Sequence, residues 1–173
     1  MAGLLTELEG AVLTEVGHRG NTTAFKVRRA FELSGSASWR GSAGAVYAAV
    51  KRLIARRLLE TQSIPGRRGG SRLRLTATGK RELHSWMLDF ERASDSGFDP
   101  FRLRAGLWLR LPNDELAHHL DLLEQSVIRE IAQLRVYAEG QDQIERTEVD
   151  LAICLQELRL RWINEQKDVL GER

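Results

Sequence analysis

Lys51, Arg52, Arg56 and Arg57 sit at helical spacing, and Arg67, Arg68, Arg72 and Arg74 follow closely behind them. These are the side chains whose types and spacing could do chemistry. The second set is interleaved with Gly66, Gly69 and Gly70, which would let backbone as well as guanidinium groups approach a partner closely. Dense cations beside small residues suit a polyanionic phosphate backbone lying next to a nucleic-acid groove. Catalytic arrangements are missing. His18, His84, His118 and His119 are scattered, and the glycines of PGRRGGS lack the Lys-Ser/Thr of a phosphate-binding loop. No H-E-x-x-H, G-x-S-x-G or C-x-x-C pattern occurs. The expectation is a protein with no catalytic residues, no metal site and no cofactor, and so not an enzyme.

The charge is unevenly distributed. Met1 to Arg81 holds 15 Lys and Arg against 5 Asp and Glu, a net +10, and the remainder holds 11 against 19, a net −8, although the 173-residue chain carries only +2. A basic front half that meets nucleic acid and an acidic back half that does not would produce that division. The hydrophobic fraction of 42% is enough for a core. A single cysteine, Cys154, rules out an intrachain disulfide. No apolar run reaches membrane-spanning length, and MAGLLTELEG lacks a basic leader. A soluble, intracellular protein with no membrane partner is expected.

The elements that must position the cations follow from periodicity. Thr6-Glu7-Leu8-Glu9 has the form of a capping box, opening a helix with Leu8, Val12, Leu13 and Val16 inward and Gly17 as its stop. A second helix starts near Thr22 or Thr23 and carries Phe25, Val27, Ala30, Phe31 and Leu33. The segment SGSASWRG reads as a linker. Ser42 then caps a third helix with Val46, Val50, Leu53, Ile54 and Leu58 inward; Tyr47, Lys51, Arg52, Arg56 and Arg57 lie at or beyond the stripe's edges. The small residues Ser42, Ala43 and Gly44 would let that helix's N-terminus approach a groove with N–H groups aimed at phosphate. Leu59 to Ile64 reads as a strand, Pro65 to Ser71 as a turn, and Arg72 to Thr76 as a strand with Leu73 and Leu75 on one face and Arg72 and Arg74 on the other. Three helices and then a hairpin is the winged helix-turn-helix order. Ala45, Tyr47, Ala48 and Lys51 would face a major groove, while the hairpin would lay Arg67, Arg68, Arg72 and Arg74 along a backbone.

A helix from about Thr78 runs through Leu83, Trp86, Met87 and Phe90, and the polar stretch ASDSGFDP then suggests a boundary, giving domains 1–94 and 95–173. Phe101 to Leu111 is short and apolar. Beyond it, Leu116, Leu120, Leu123, Val127, Ile131, Leu134 and Ala138 form one near-heptad seam, and Ile144, Leu151, Leu155, Leu158, Trp162 and Val169 form another. So much apolar surface on two helices calls for cover from a second copy, so this half is expected to be an α-helical dimerisation domain. Cys154 reads as a small buried hydrophobe on the apolar side of the last helix, the alternative being a redox-sensing thiol. Trp108 and Trp162 are the aromatics to consider as contacts for a flat small ligand, the alternative being ordinary core.

The first 80 or so residues resemble the PadR family of bacterial transcriptional regulators. The resemblance rests on LTELEGAVLTEV, TTAFKVRRAF, WRGSAGAVYAAVKRLIARRLL and RLRLTATGK, in the family's order. It implies a mainly α protein: a winged helix-turn-helix followed by helices that intertwine a homodimer. It also implies a bacterial cytoplasmic, nucleoid-associated repressor on an inverted-repeat operator, released by a small, often aromatic, effector. By position, the family's DNA contacts fall on Ser42, Gly44, Tyr47 and Lys51, with wing contacts on Arg67, Arg68 and Arg72. The chain departs from the pattern at Ala48, where proline is common, at Arg57, where a glycine usually ends the helix, and at Leu73, in place of a wing aromatic. A winged-helix protein–protein adaptor and a DNA-binding regulator without an effector remain open as alternatives.

Overall fold

The computed structural model describes residues 4–63, 71–94 and 99–172. The chain divides into two compact units, Met1–Asp95 and Ser96–Arg173. The first is a winged helix-turn-helix and the second is helical, so the protein is mainly α.

The first unit begins with α1 (Glu7–Gly17), closed at its start by the expected capping box: the Thr6 hydroxyl accepts from the Glu9 N–H, and the Glu9 carboxylate accepts from the Thr6 N–H. Thr23 caps α2 (Ala24–Leu33) with its hydroxyl alone, which accepts from the Lys26 N–H. Val12, Leu13, Val16, Val27 and Phe31 enter the core, whereas Phe25 and Leu33 stay exposed. Gly17 does not stop α1 by turning left-handed. It is small because Leu75 packs on it, and a Cβ there would lie 2.3 Å from Leu75 Cδ1.

The expected linker after α2 is itself helical. Ser36 caps α3 (Ala37–Ser42) by accepting from the Trp39 N–H, and the Trp39 ring packs edge-on against Phe31 at 5.4 Å. Flanking Ser and Gly disguise a cap and an aromatic anchor as linker. A 3-10 turn (Ala43–Ala45) leads directly into α4 (Val46–Ala55). Val46, Ala49, Val50 and Leu53 face the core, against α1 and α2.

The end of α4 is where glycine would be expected. Arg57 takes φ +56, the Leu58 N–H reaches the Leu53 carbonyl at 2.8 Å, and the Arg57 N–H reaches that of Ile54 at 2.9 Å. That pair of bonds is the Schellman termination, with buried Leu58 and Leu53 as its apolar contact. The arginine thus completes a turn whose backbone is strained for any residue with a Cβ.

Strands β1 (Leu59–Ser63) and β2 (Ser71–Leu75) form the antiparallel wing, with Leu59 opposite Leu75, Glu60 opposite Arg74 and Gln62 opposite Arg72. Its Leu73 N–H bonds the Thr22 carbonyl at 2.7 Å, fastening the wing to the loop between α1 and α2. Thr76 then caps α5 (Ala77–Met87). The helix breaks at Leu88–Asp89, earlier than the composition suggested, and Asp89 caps the single turn α6 (Phe90–Ala93). Ile64 and the turn up to Gly70 lie outside the described residues.

In the second unit Asp99 caps α7 (Pro100–Trp108) through the Phe101 N–H. The long helices α8 (Asn113–Ala138) and α9 (Gln143–Gly171) run antiparallel, joined through Gly140 at φ +77. Arg135 pairs with Glu157, Lys167 with Asp121 and Glu124, and Tyr137 donates to Glu145. The α8 seam is placed as expected, with Leu116, Leu120, Val127, Ile131 and Leu134 buried. The α9 seam is not. Val149 and Ile163 are buried and Ile153 and Leu160 pack against the core, whereas Leu151, Leu155 and Leu158 are 64%, 50% and 54% exposed. Cys154 is exposed with them instead of buried. The sequence offers two apolar stripes on this helix, and α8 covers only one.

Arg57→Gly removes the penalty of a left-handed residue with a side chain. It is expected to stabilise the first unit by about 0.5–1 kcal/mol, seen as a higher urea midpoint. A lower midpoint would mean that the side chain contributes more than its backbone strain.

A candidate nucleic-acid interface

On α4 the core takes Val46, Ala49, Val50 and Leu53, so helical geometry turns Ala48, Lys51 and Ala55 outward; all three are exposed, as is Gly44 in the 3-10 turn that leads into the helix. Tyr47 is exposed at one edge of this strip, toward α2, with the Arg28 guanidinium 5.9 Å from its ring centroid. Arg28 in turn pairs with Glu32. Arg52 stands at the other edge, toward α1. Among the described residues nothing lies within 4 Å of where a Gly44 Cβ would be, so their packing does not require its smallness.

Ser42 occupies a different place from the one expected. It ends α3, is half-buried, and donates its hydroxyl to the Ser38 carbonyl at 2.9 Å. The N–H groups of Ala43 and Val46 are taken by the carbonyls of Arg40 and Ala43. The helical path is nearly continuous from Ala37, so no helix begins at Ser42 to offer N–H groups to a phosphate. Arg72 and Arg74 are exposed on β2. Arg67 and Arg68 lie outside the described residues.

The group that sequence reasoning missed is Glu9. Its carboxylate is buried on α1 and accepts from Arg52 Nε at 2.9 Å, from Arg56 Nη1 at 3.0 Å and from the Thr6 N–H at 3.2 Å. Burial opposes its ionisation. The Arg52 hydrogen bond, the Thr6 N–H and the positive charges of Arg56 and Arg52 outweigh that and hold the carboxyl below the usual glutamate range. Two of the four cations read on this helix are thus bound to the scaffold. The signal was in the sequence as the capping-box glutamate, but a box explains only one of its three partners.

The two tryptophans singled out by type do come together. Phe101 lies edge-on to Trp108 at 5.1 Å and to Trp162 at 5.6 Å, and Trp108 and Trp162 are 6.4 Å apart. The Arg159 guanidinium lies over Phe101 at 5.2 Å and bonds Asp99 at 2.8 Å. Burial opposes ionisation of Asp99, but bonds from the Phe101 N–H and Arg159 more than offset it and lower its pKa. The second-unit core includes all three rings. Among the described residues no cluster of His, Cys, Asp and Glu is placed to hold a metal ion, and no helix is long and apolar enough to cross a membrane.

No family model and no curated protein matches the sequence. Solved structures match the fold. A PadR-like transcriptional regulator from Bacillus cereus aligns over 98% of this chain and 99% of its own at TM-score 0.64 and 14% identity. Bacillus subtilis PadR in complex with operator DNA aligns over 95% and 99% at TM-score 0.73 and 16% identity. The same protein in complex with p-coumaric acid aligns over 96% of each chain at TM-score 0.75 and 15% identity. The chain therefore has the fold of the PadR-like regulators along nearly its whole length.

The Glu9 carboxylate contributes stability above the unfolded glutamate value, near 4.5. That stability is lost as pH falls through its lower folded value. Glu9→Gln is expected to lower stability at pH 7 by about 1–3 kcal/mol and to flatten the acid limb between about pH 5 and pH 3, as measured by denaturant unfolding across pH. An unaltered acid limb would contradict the assignment.

Proposed function

We propose that this chain is a PadR-type DNA-binding transcriptional regulator: a homodimeric repressor of the bacterial cytoplasm and nucleoid that binds an inverted-repeat operator through α4 and the wing. The single observation that carries this reading is the outward face of α4. Gly44, Ala48 and Ala55 leave room for close approach, with Lys51 among them and Tyr47 at the edge. Lys51 would reach a base edge or phosphate, the alanines would pack on thymine methyl groups, and Tyr47 would contact the edge of the groove. Ser42 would contribute only from the flank. Arg72 and Arg74, with Arg67 and Arg68 from the turn, would track the backbone. The fold shared with a PadR solved on operator DNA supports this use of the unit.

The second copy is proposed to lie on α9. Leu151, Leu155, Leu158 and Val169 follow one another at steps of 4, 3 and 11, all sums of the helical steps 3 and 4, along a 29-residue helix and remain exposed after α8 has packed on the other face. An uncovered stripe of that length on a soluble helix favours a partner with the same pattern. The effector is proposed to be a small aromatic acid received beside Trp108 and Trp162, with Arg159 as counter-charge. The support is the ring cluster itself and the p-coumaric acid complex of a fold neighbour. Adding p-coumaric acid to the protein–DNA complex tests this directly: release is expected from the wild type and not from Trp162→Ala.

Two measurements test the rest. In fluorescence titrations, a duplex from the chain's own upstream region should bind more tightly than an unrelated duplex, and binding should weaken as salt rises. Gly44→Met should keep the melting curve, because none of the described residues occupies that space, and should lower affinity at least tenfold by blocking groove entry. Equal affinity for both duplexes would defeat the sequence-reading role, and no binding to either at low salt would favour the adaptor alternative. Second, Leu155→Asp with Leu158→Asp should halve the mass seen by light scattering; an unchanged mass would place the dimer elsewhere.

A further inference from the structure

Arg52 and Arg56 share one carboxylate but differ in how they meet solvent. Glu9 takes the Nε of Arg52 and an Nη of Arg56. The Arg52 side chain is nevertheless 52% exposed and that of Arg56 only 23%. An arginine held at Nε has its stem immobilised while its two terminal amino groups stay available in a planar fork. An arginine held at a terminal nitrogen and covered from solvent is used up by the pair. Helical geometry gives these roles a direction. Arg52 borders the outward strip of Gly44, Ala48, Lys51 and Ala55 on the α1 side, whereas Arg56 is turned further toward α1.

The opposite border has a matching arrangement. Arg28 on α2 lies over the exposed Tyr47 ring, and its guanidinium is paired with Glu32, which also takes Arg29 at 3.5 Å. Each edge of the strip therefore carries one arginine held by a carboxylate, Arg52 by Glu9 of α1 and Arg28 by Glu32 one turn along its own helix α2. The separation suits the shape of the proposed partner, since a helix in a major groove has a phosphate backbone on either side of it.

We infer that Arg52 and Arg28 are phosphate-contacting residues on the two flanks of α4, with Glu9 and Glu32 holding them as positioning residues, and that Arg56 belongs to the scaffold alone. This inference rests on the proposed reading of the face as a duplex-binding surface. It assigns the flanks to backbone contact and leaves base choice to the strip between them. Fixing the guanidinium before DNA arrives lowers the ordering cost of each contact. An arginine spent this way adds affinity for any duplex and no preference among sequences.

The experiment compares full-length wild type, Arg52→Gln, Arg28→Gln and Arg56→Gln by fluorescence anisotropy. The probes are a duplex of the chain's own upstream region and an unrelated duplex of equal length, each across a series of salt concentrations, with a melting curve for every variant. Arg52→Gln and Arg28→Gln should each reduce the slope of log affinity against log salt by about 0.9 for every phosphate contact removed. The ratio of affinities for the two duplexes should stay within twofold. Arg56→Gln should lower the melting temperature and leave the slope as in the wild type. An unchanged slope in Arg52→Gln and Arg28→Gln overturns the inference, as does a slope in Arg56→Gln reduced as much as in Arg52→Gln, which would make the effect a loss of structure. If the wild type binds neither duplex at low salt, the duplex-binding reading falls and takes this inference with it. Wild-type binding with no slope change in the variants refutes the flank assignment alone.

Discussion

The buried carboxylate of Glu9 is the constraint on which the first unit depends. A charge taken out of water must be fully paired, and Glu9 meets that demand with the N-terminus of its own helix and two arginines of α4. Those arginines are four residues apart, so they share one face of α4, and gripping both fixes the roll of that helix about its axis. Roll decides which residues look outward. Turned by one residue, α4 would bury Lys51 or expose Leu53. The apolar core beneath is consistent with the same setting, but apolar contacts are less directional than a carboxylate between two guanidinium groups.

The wing is registered on the same frame. Leu75 packs on Gly17, Leu73 is buried and donates its N–H to the Thr22 carbonyl, and the Schellman turn through Arg57 delivers the chain from α4 into β1. The outward face of α4 and the exposed side of β2 are thereby held within the one compact first unit. In that second unit one face of α9 is satisfied by α8, and an equal apolar stripe is left over. Phe101 and Trp108 of α7 close over Trp162 on the same helix α9, so the exposed leucines are what its neighbours within the unit leave uncovered.

Much of this was legible from residue types. The capping box at Thr6, the inward stripe of α4, the alternation at Leu73 and Leu75 and the α8 seam are local patterns, and each was found where periodicity put it. Features decided by distant partners were not legible. The Ser-Gly stretch before α4 reads as linker until Trp39 is seen against Phe31. Ser42 looks like a cap because its type suits one, yet the helical path had already begun at Ala37, capped by Ser36. On α9, Leu151, Leu155 and Leu158 and the set Val149, Ile153, Leu160 and Ile163 both have heptad spacing, and only packing shows which set is inside. Among the arginines, type and spacing gave the count of cations, but not which of them a buried glutamate had already engaged.

The central claim, that the exposed side of α4 and the wing is where a duplex lies, is tested most directly by amide hydrogen exchange of the full chain with and without its upstream duplex. The account predicts slowed exchange in peptides covering Gly44 to Arg52 and Arg72 to Arg74, with the α8–α9 pairing surface around Val149 and Ile163 unchanged. Protection confined to α8 and α9, with none on α4 or β2, would contradict it.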